Sequence, residues 1–122
     1  MAKEISVLFV DDEESLRLLV KNQLVQEGFA VDTADDGDTA VEALKNKPYD
    51  LALLDIRMPR MNGIEVLKYI RQNKPLVRVI MLTAVDDLAI AIEAVKNGAN
   101  DYLTKPYDID NLVASIKRVL AK

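Results

Sequence analysis

The chain has 122 residues, half of them apolar and 30% charged, with a net charge of −4 and neither Cys nor His. That describes one globular domain with its own core, and it excludes a disulfide scaffold, a thiolate nucleophile, Cys- or His-ligated metal and a phosphohistidine donor. An acidic chain is not drawn broadly to nucleic acid or anionic lipid, and its longest apolar run, Leu88 to Ile92, is far short of the roughly 20 residues of a membrane span. No sustained apolar stretch follows Lys3 and Glu4, so no signal peptide is expected and a cytoplasmic location is.

In chain order, Ile5–Val10 (ISVLFV) is near-continuously apolar, as a strand covered on both faces would be. It runs straight into Asp11, Asp12, Glu13 and Glu14. Leu16, Leu19, Val20 and Leu24 recur at helical spacing, and Gly28 supplies a stop. Ala30–Ala34 is a second strand, followed by a helix that ends before Pro48. Asp50–Leu54 contains LALL and ends in Asp55; Pro59 and Asn62-Gly63 then read as a turn. Val77–Leu82 (VRVIML) ends in Thr83, with the small Ala84 behind it. From Leu88 to Val95 only Glu93 is polar, and Gly98 stops this helix. An outer helix should show a polar face. Either Ala89, Ala91 and Ala94 are harmless surface alanines, or the helix shares a partner surface with the fifth strand and fifth helix. Asn100–Thr104 is the fifth strand and ends in Lys105. Asp108 is a suitable N-cap for the last helix, whose stripe is Ile109, Leu112, Val113, Ile116 and Leu120.

Strict alternation of strand and helix implies an α/β fold, a doubly wound parallel sheet with helices on both faces. No linker, charge block or repeat divides the chain, so residues 1–122 are expected to be one domain. Ligands of such sheets bind at the carboxyl edge, where the strand order reverses. Right-handed crossovers leave a few doubly wound orders; if the order is 2-1-3-4-5, Asp11, Asp12 and Asp55 converge there, flanked by Thr83 and Lys105. Each has a bland alternative: a helix-terminal charge, a loop-starting aspartate, a strand-ending threonine, a solvated lysine. Jointly the bland alternatives fail, because four strand ends would each carry the right residue type by chance.

The chemistry needs these types. Two unit charges 4 Å apart repel by about 4 kcal/mol at an effective dielectric of 20. A divalent cation relieves that, and an all-oxygen donor set suits Mg²⁺ or Mn²⁺. A carboxylate beside such a metal can attack phosphorus and form an aspartyl phosphate. Lys105 and the Thr83 hydroxyl can then hold the remaining oxygens.

The runs LFVDDEE, LLDIRMPRMNG, VIMLTA and DYLTKP, in this order and at these separations, resemble the receiver domain of bacterial two-component response regulators. The resemblance spans essentially the whole chain. It implies a flavodoxin-like (βα)5 sheet of order 2-1-3-4-5, with Asp55 as phosphoacceptor. Asp11 and Asp12 would serve Mg²⁺ beside Asp55, with the backbone carbonyl of Arg57 as a further ligand. Thr83 would be the switch hydroxyl, Lys105 the phosphate-binding lysine, Tyr102 the switch aromatic, and Lys105-Pro106 a cis bond. The implied function is phosphorelay signalling. A histidine kinase or phosphotransfer protein donates the phosphoryl group, and the surface of the fourth helix, fifth strand and fifth helix changes state. That surface would meet an effector domain or a second copy of the chain, without direct nucleic-acid or membrane contact. The domain would promote only its own phosphorylation and dephosphorylation, and Arg57 and Val85, variable in the family, leave the second rate open. Three other classes fit less well. An aspartate-nucleophile phosphohydrolase resembling the haloacid dehalogenases needs D-x-D after strand one, where this chain has Asp11-Asp12-Glu13. An FMN carrier needs a glycine- and hydroxyl-rich loop there. A module that only binds partners does not need the intact acidic site.

Overall fold

The structure, a computed structural model, describes residues 4–58 and 61–121. Five strands, β1 (Ser6–Val10), β2 (Ala30–Ala34), β3 (Leu51–Asp55), β4 (Arg78–Ala84) and β5 (Asp101–Lys105), alternate with five helices, α1 (Glu14–Gln26), α2 (Gly37–Asn46), α3 (Gly63–Asn73), α4 (Leu88–Lys96) and α5 (Ile109–Leu120). A short 3₁₀ turn, Val85–Asp87, leads into α4. All strand pairs are parallel, in the order β2-β1-β3-β4-β5. This is the doubly wound parallel sheet expected from the alternation, in the flavodoxin-like order that the family resemblance implies.

The two faces of the sheet follow from the period-two alternation of each strand. Leu8, Val10, Ala52, Leu54, Val79 and Met81 pack with buried residues of α2, α3 and α4. Val7, Phe9, Leu51, Leu53, Ile80 and Leu82 pack with those of α1 and α5. The central strands are thus buried on both sides, which is why their sequences are near-continuous apolar runs. β5, an edge strand, is only half-buried along its length.

Local chemistry sets the boundaries. Gly28 and Gly98 adopt φ of +98° and +111°, a region that L side chains rarely enter, and so stop α1 and α4 as expected. The Asp108 carboxylate accepts the Asn111 N–H at 2.7 Å and caps α5. Three strands run beyond their last apolar residue: Asp55 pairs with Leu82, Thr83 with Thr104 and Ala84 with Lys105. The ladder continues where the apolar pattern stops, so the polar residues sit on rigid strand ends.

Several local expectations change. Asn62-Gly63 is no simple turn: Asn62 and Glu65 form a reciprocal capping box that starts α3. Leu19, expected in the core stripe of α1, is 54% exposed. In α4, Ala91 and Ala94 are buried while Leu88, Ile90, Ile92 and Val95 are exposed, so only Ala89 remains a surface alanine. Among the described residues no helix is long and apolar enough to cross a membrane.

Candidate functional site

The acidic cluster forms at the carboxyl edge, between the ends of β1 and β3. α1 begins only at Glu14, with Glu13 as its cap residue, so Asp11 and Asp12 belong to the loop before the helix. Asp11 is fixed twice: its Oδ1 accepts the Glu13 N–H at 2.9 Å, and its carbonyl accepts Arg17 Nη1 at 2.7 Å. Asp55 is the last residue of the fully buried β3. Behind it Gly63 packs so closely that a Cβ there would lie 2.3 Å from the Asp55 carbonyl oxygen. Asp11 and Asp55 are buried and Asp12 is exposed. Each of the three offers a carboxylate oxygen, and these lie within 4.8 Å of one another. Three oxygen donors without imidazole or thiolate fit a hard divalent cation.

Lys105 crosses from the end of β5. Its Nζ donates to Asp11 Oδ2 at 3.0 Å and lies 3.3 Å from Asp55 Oδ2. The lysine therefore offsets part of the repulsion that the sequence implies, without a metal. Burial disfavours its ammonium, but Asp11 and Asp55 outweigh burial and hold the lysine above its usual range. Asp55 moves the other way. Burial is the largest influence, Asp11 and Asp12 add to it, and Lys105 opposes it; the carboxyl is pushed up to about 6. A buried carboxylate partly neutralised by Lys105, beside the exposed Asp12, is suited to react with an electrophile.

Thr83 is fully buried near the end of β4, and its hydroxyl donates to the neighbouring Ala84 carbonyl at 3.2 Å. Alternation puts it on the same face as Val79 and Met81, toward α4. Tyr102 pairs with Met81 across the ladder and packs, half-buried, against that same cluster. The structure thus gathers Asp11, Asp12, Asp55 and Lys105 at one point, and sets Thr83 and Tyr102 together on the α4 side. Lys105-Pro106 is cis.

Two residues escaped the reading of the sequence. Asp87, at the end of the 3₁₀ turn, accepts a two-pronged contact from Arg57, and Arg57 holds its carboxyl below the usual range. Tyr107 buries a hydroxyl with no hydrogen-bond partner among the described residues. Burial first, and then the charges of Asp11, Asp55 and Glu13, hold its phenol above the usual range. Neither has a local signal, because each depends on a packing partner distant in sequence.

Residues 7–117 match the family described as the response regulator receiver domain. The chain is 43% identical over 115 residues to the DNA-binding transcriptional regulator NtrC of Escherichia coli, covering 94% of this chain and 24% of that protein. It is 36% identical over 117 residues to the response regulator ArlR of Staphylococcus epidermidis, covering 96% and 53%. The chain therefore spans a quarter to a half of the length of these relatives. Among solved structures, the receiver domain of NtrX from Brucella abortus superposes with a TM-score of 0.90 at 33% identity, over 95% of this chain and 98% of that one. The chemotaxis protein CheY4 of Vibrio cholerae gives 0.89 at 31% identity, over 96% and 99%. This chain belongs to the receiver domains of response regulators, the signalling modules of two-component phosphorelays.

Proposed function

We propose that residues 1–122 form one receiver domain that accepts a phosphoryl group onto Asp55. The observation that carries this reading is the joining of three carboxylates and one lysine at the carboxyl edge, with Asp55 buried between Asp11 and Lys105. An Asp55 oxygen attacks phosphorus in line; the P–O bond forms as the P–N bond to the donor's imidazole breaks, and the imidazole leaves with that electron pair. With its carboxyl pushed up to about 6, Asp55 is mostly ionised at neutral pH and able to attack. Asp11, Asp12, Asp55 and the Arg57 backbone carbonyl would hold Mg²⁺ or Mn²⁺, which supplies charge neutralisation for the transferred oxygens. Lys105 already sits between two carboxylates and can pass its ammonium to a phosphoryl oxygen. The Thr83 hydroxyl turns from the Ala84 carbonyl to another oxygen, and Tyr102 follows on the same face.

The phosphodonor is a histidine kinase or phosphotransfer protein, the partner class of response regulators. It has to bring its imidazole to Asp55. Beside that opening an apolar groove of about 370 Å³ runs from Leu16 and Leu19 of α1 to Pro106, flanking Lys105. The output face is α4–β5–α5, which meets an effector domain or a second copy. The domain turns over no free substrate beyond its own phosphoryl group, works in the cytoplasm and does not itself contact nucleic acid.

The test is intact mass after incubation with acetyl phosphate, or a phosphohistidine donor, and Mg²⁺. One phosphoryl group should be gained, and Asp55→Asn should gain none. An acid-stable adduct on Ser or Thr would overturn the assignment. Release of phosphate from small phosphate esters in many turnovers would instead indicate a hydrolase.

A further inference from the structure

The chemistry above uses only the carbonyl of Arg57 and leaves its side chain without a task. That side chain grips Asp87: Nε donates to Oδ2 and Nη2 to Oδ1. The partners sit in opposite environments, with the Arg57 side chain 69% exposed and that of Asp87 2% exposed. A carboxylate this buried is strongly disfavoured without its partner. Asp87 also stands at the cap position of α4 and makes no capping bond there. Its charge is committed to Arg57 instead of to the helix it precedes.

The positions make the contact consequential. Arg57 lies two residues beyond Asp55, and Asp87 lies four beyond Thr83, so the fork ties the loop after β3 to the turn after β4. In this state the Thr83 hydroxyl is turned to Ala84. To reach an oxygen on a phosphorylated Asp55, the Thr83–Ala84 segment has to shift, and Val85–Asp87 follows it directly. A fork anchored at the end of that turn opposes the shift.

We propose that the Arg57–Asp87 pair is a latch that stabilises the resting conformation of the β4–α4 segment, and that phosphorylation of Asp55 releases it. The inference rests on Asp55 being the phosphoacceptor. A ligand selective for the released form binds more weakly by the fraction of molecules already released, so weakening the latch raises apparent affinity.

Beryllium fluoride with Mg²⁺, a phosphoryl mimic, is titrated into the parent, Asp87→Asn, Arg57→Gln and the double variant, with the Thr83 and Ala84 amide resonances as readout. Asp87→Asn keeps the side-chain shape but removes its charge. Half-saturation should fall by about threefold or more in each single variant, and no further in the double, since both remove one interaction. Without the mimic, resonances of residues 83–96 should already lie part-way toward their bound positions. Arg57→Lys, which keeps the charge but loses the fork, should fall between parent and Arg57→Gln, and serves if burial prevents Asp87→Asn from folding. A parallel titration of the parent and Asp87→Asn with Mg²⁺ alone should agree, since Asp87 is not among the residues that would hold the metal; a matching shift there would assign the effect to the metal site and overturn the latch. Equal half-saturation in parent and variants would overturn it too. A parent that fails to bind the mimic would refute Asp55 as acceptor, and the latch with it.

Discussion

Asp55→Asn should make the metal-free protein more stable at neutral pH, although it destroys the proposed acceptor. The Asp55 carboxyl is buried, and burial, with help from Asp11 and Asp12 and against Lys105, moves it from 3.8 to about 6. A folded-state value above the unfolded one means that the native state holds the proton more tightly. Stability is then greatest below about pH 4 and declines as pH rises toward 6 and beyond. A rise from 3.8 to about 6, at 1.36 kcal/mol per pH unit, corresponds to a penalty of about 3 kcal/mol at pH 7.5. Asn keeps the shape without the charge; the attraction of Lys105 is already contained in that value, and solvent reaching the pocket beside the exposed Asp12 screens part of the penalty. The expected gain is therefore about 2 kcal/mol at pH 7.5, fading toward zero at pH 4. Urea unfolding in EDTA at a series of pH values measures it, with the midpoint shift read at constant m-value. Millimolar Mg²⁺ should narrow the gap, because the parent gains more from a ligand that binds only the folded state. A variant no more stable than the parent at pH 7.5, or a gap unchanged at pH 4, would refute this account of the pocket.

Gly63→Ala should cost about 1–3 kcal/mol in urea unfolding, because the new methyl meets the Asp55 carbonyl at 2.3 Å. It should also slow phosphoryl uptake, and normal values of both would show that the close approach is tolerated. Thr83→Ala should still gain one phosphoryl group by mass, yet lose most of the phosphorylation-dependent change in hydrogen exchange at Ile90–Val95. An unchanged exchange response would remove Thr83 from the coupling.

The alternation of elements was legible because burial on both faces writes itself into sequence as runs such as VLFV and LALL, whereas the strand order came from the resemblance to receiver domains. The acidic cluster was legible for a related reason: each of its members ends or follows a strand, and strand ends in a parallel sheet share one edge. What the pattern could not carry were relations set by packing across the chain. The run Asp11–Glu14 gives no sign that α1 starts only at Glu14, nor that Lys105 reaches both Asp11 and Asp55. Asn62-Gly63 carries the composition of a turn, but the tertiary contact of Gly63 with the Asp55 backbone decides its role. Arg57 and Asp87 are 30 residues apart, and nothing local to either marks the other as its partner.

The inverted face of α4 links the site to the surface. α3 is held to the sheet by Val66, Leu67 and Ile70, and α5 by Leu112, Val113, Ile116 and Val119, whereas the buried residues of α4 are Ala91 and Ala94 alone. At about 0.8 kcal/mol per buried methylene, an alanine where a leucine would fit forgoes roughly 2 kcal/mol of anchoring at each inward position. Small inward side chains also leave no deep interdigitation for the helix to climb out of when it shifts. α4 is thus the helix with only alanines buried against the sheet, and it follows the turn that Arg57 grips. A phosphoryl group adds roughly −1.5 to −2 charges at Asp55, close to the residues that position that turn. On the proposed assignment of Asp55, the outward Leu88, Ile90, Ile92 and Val95 would move with the helix, so that a change at one strand end would become a rearranged apolar surface.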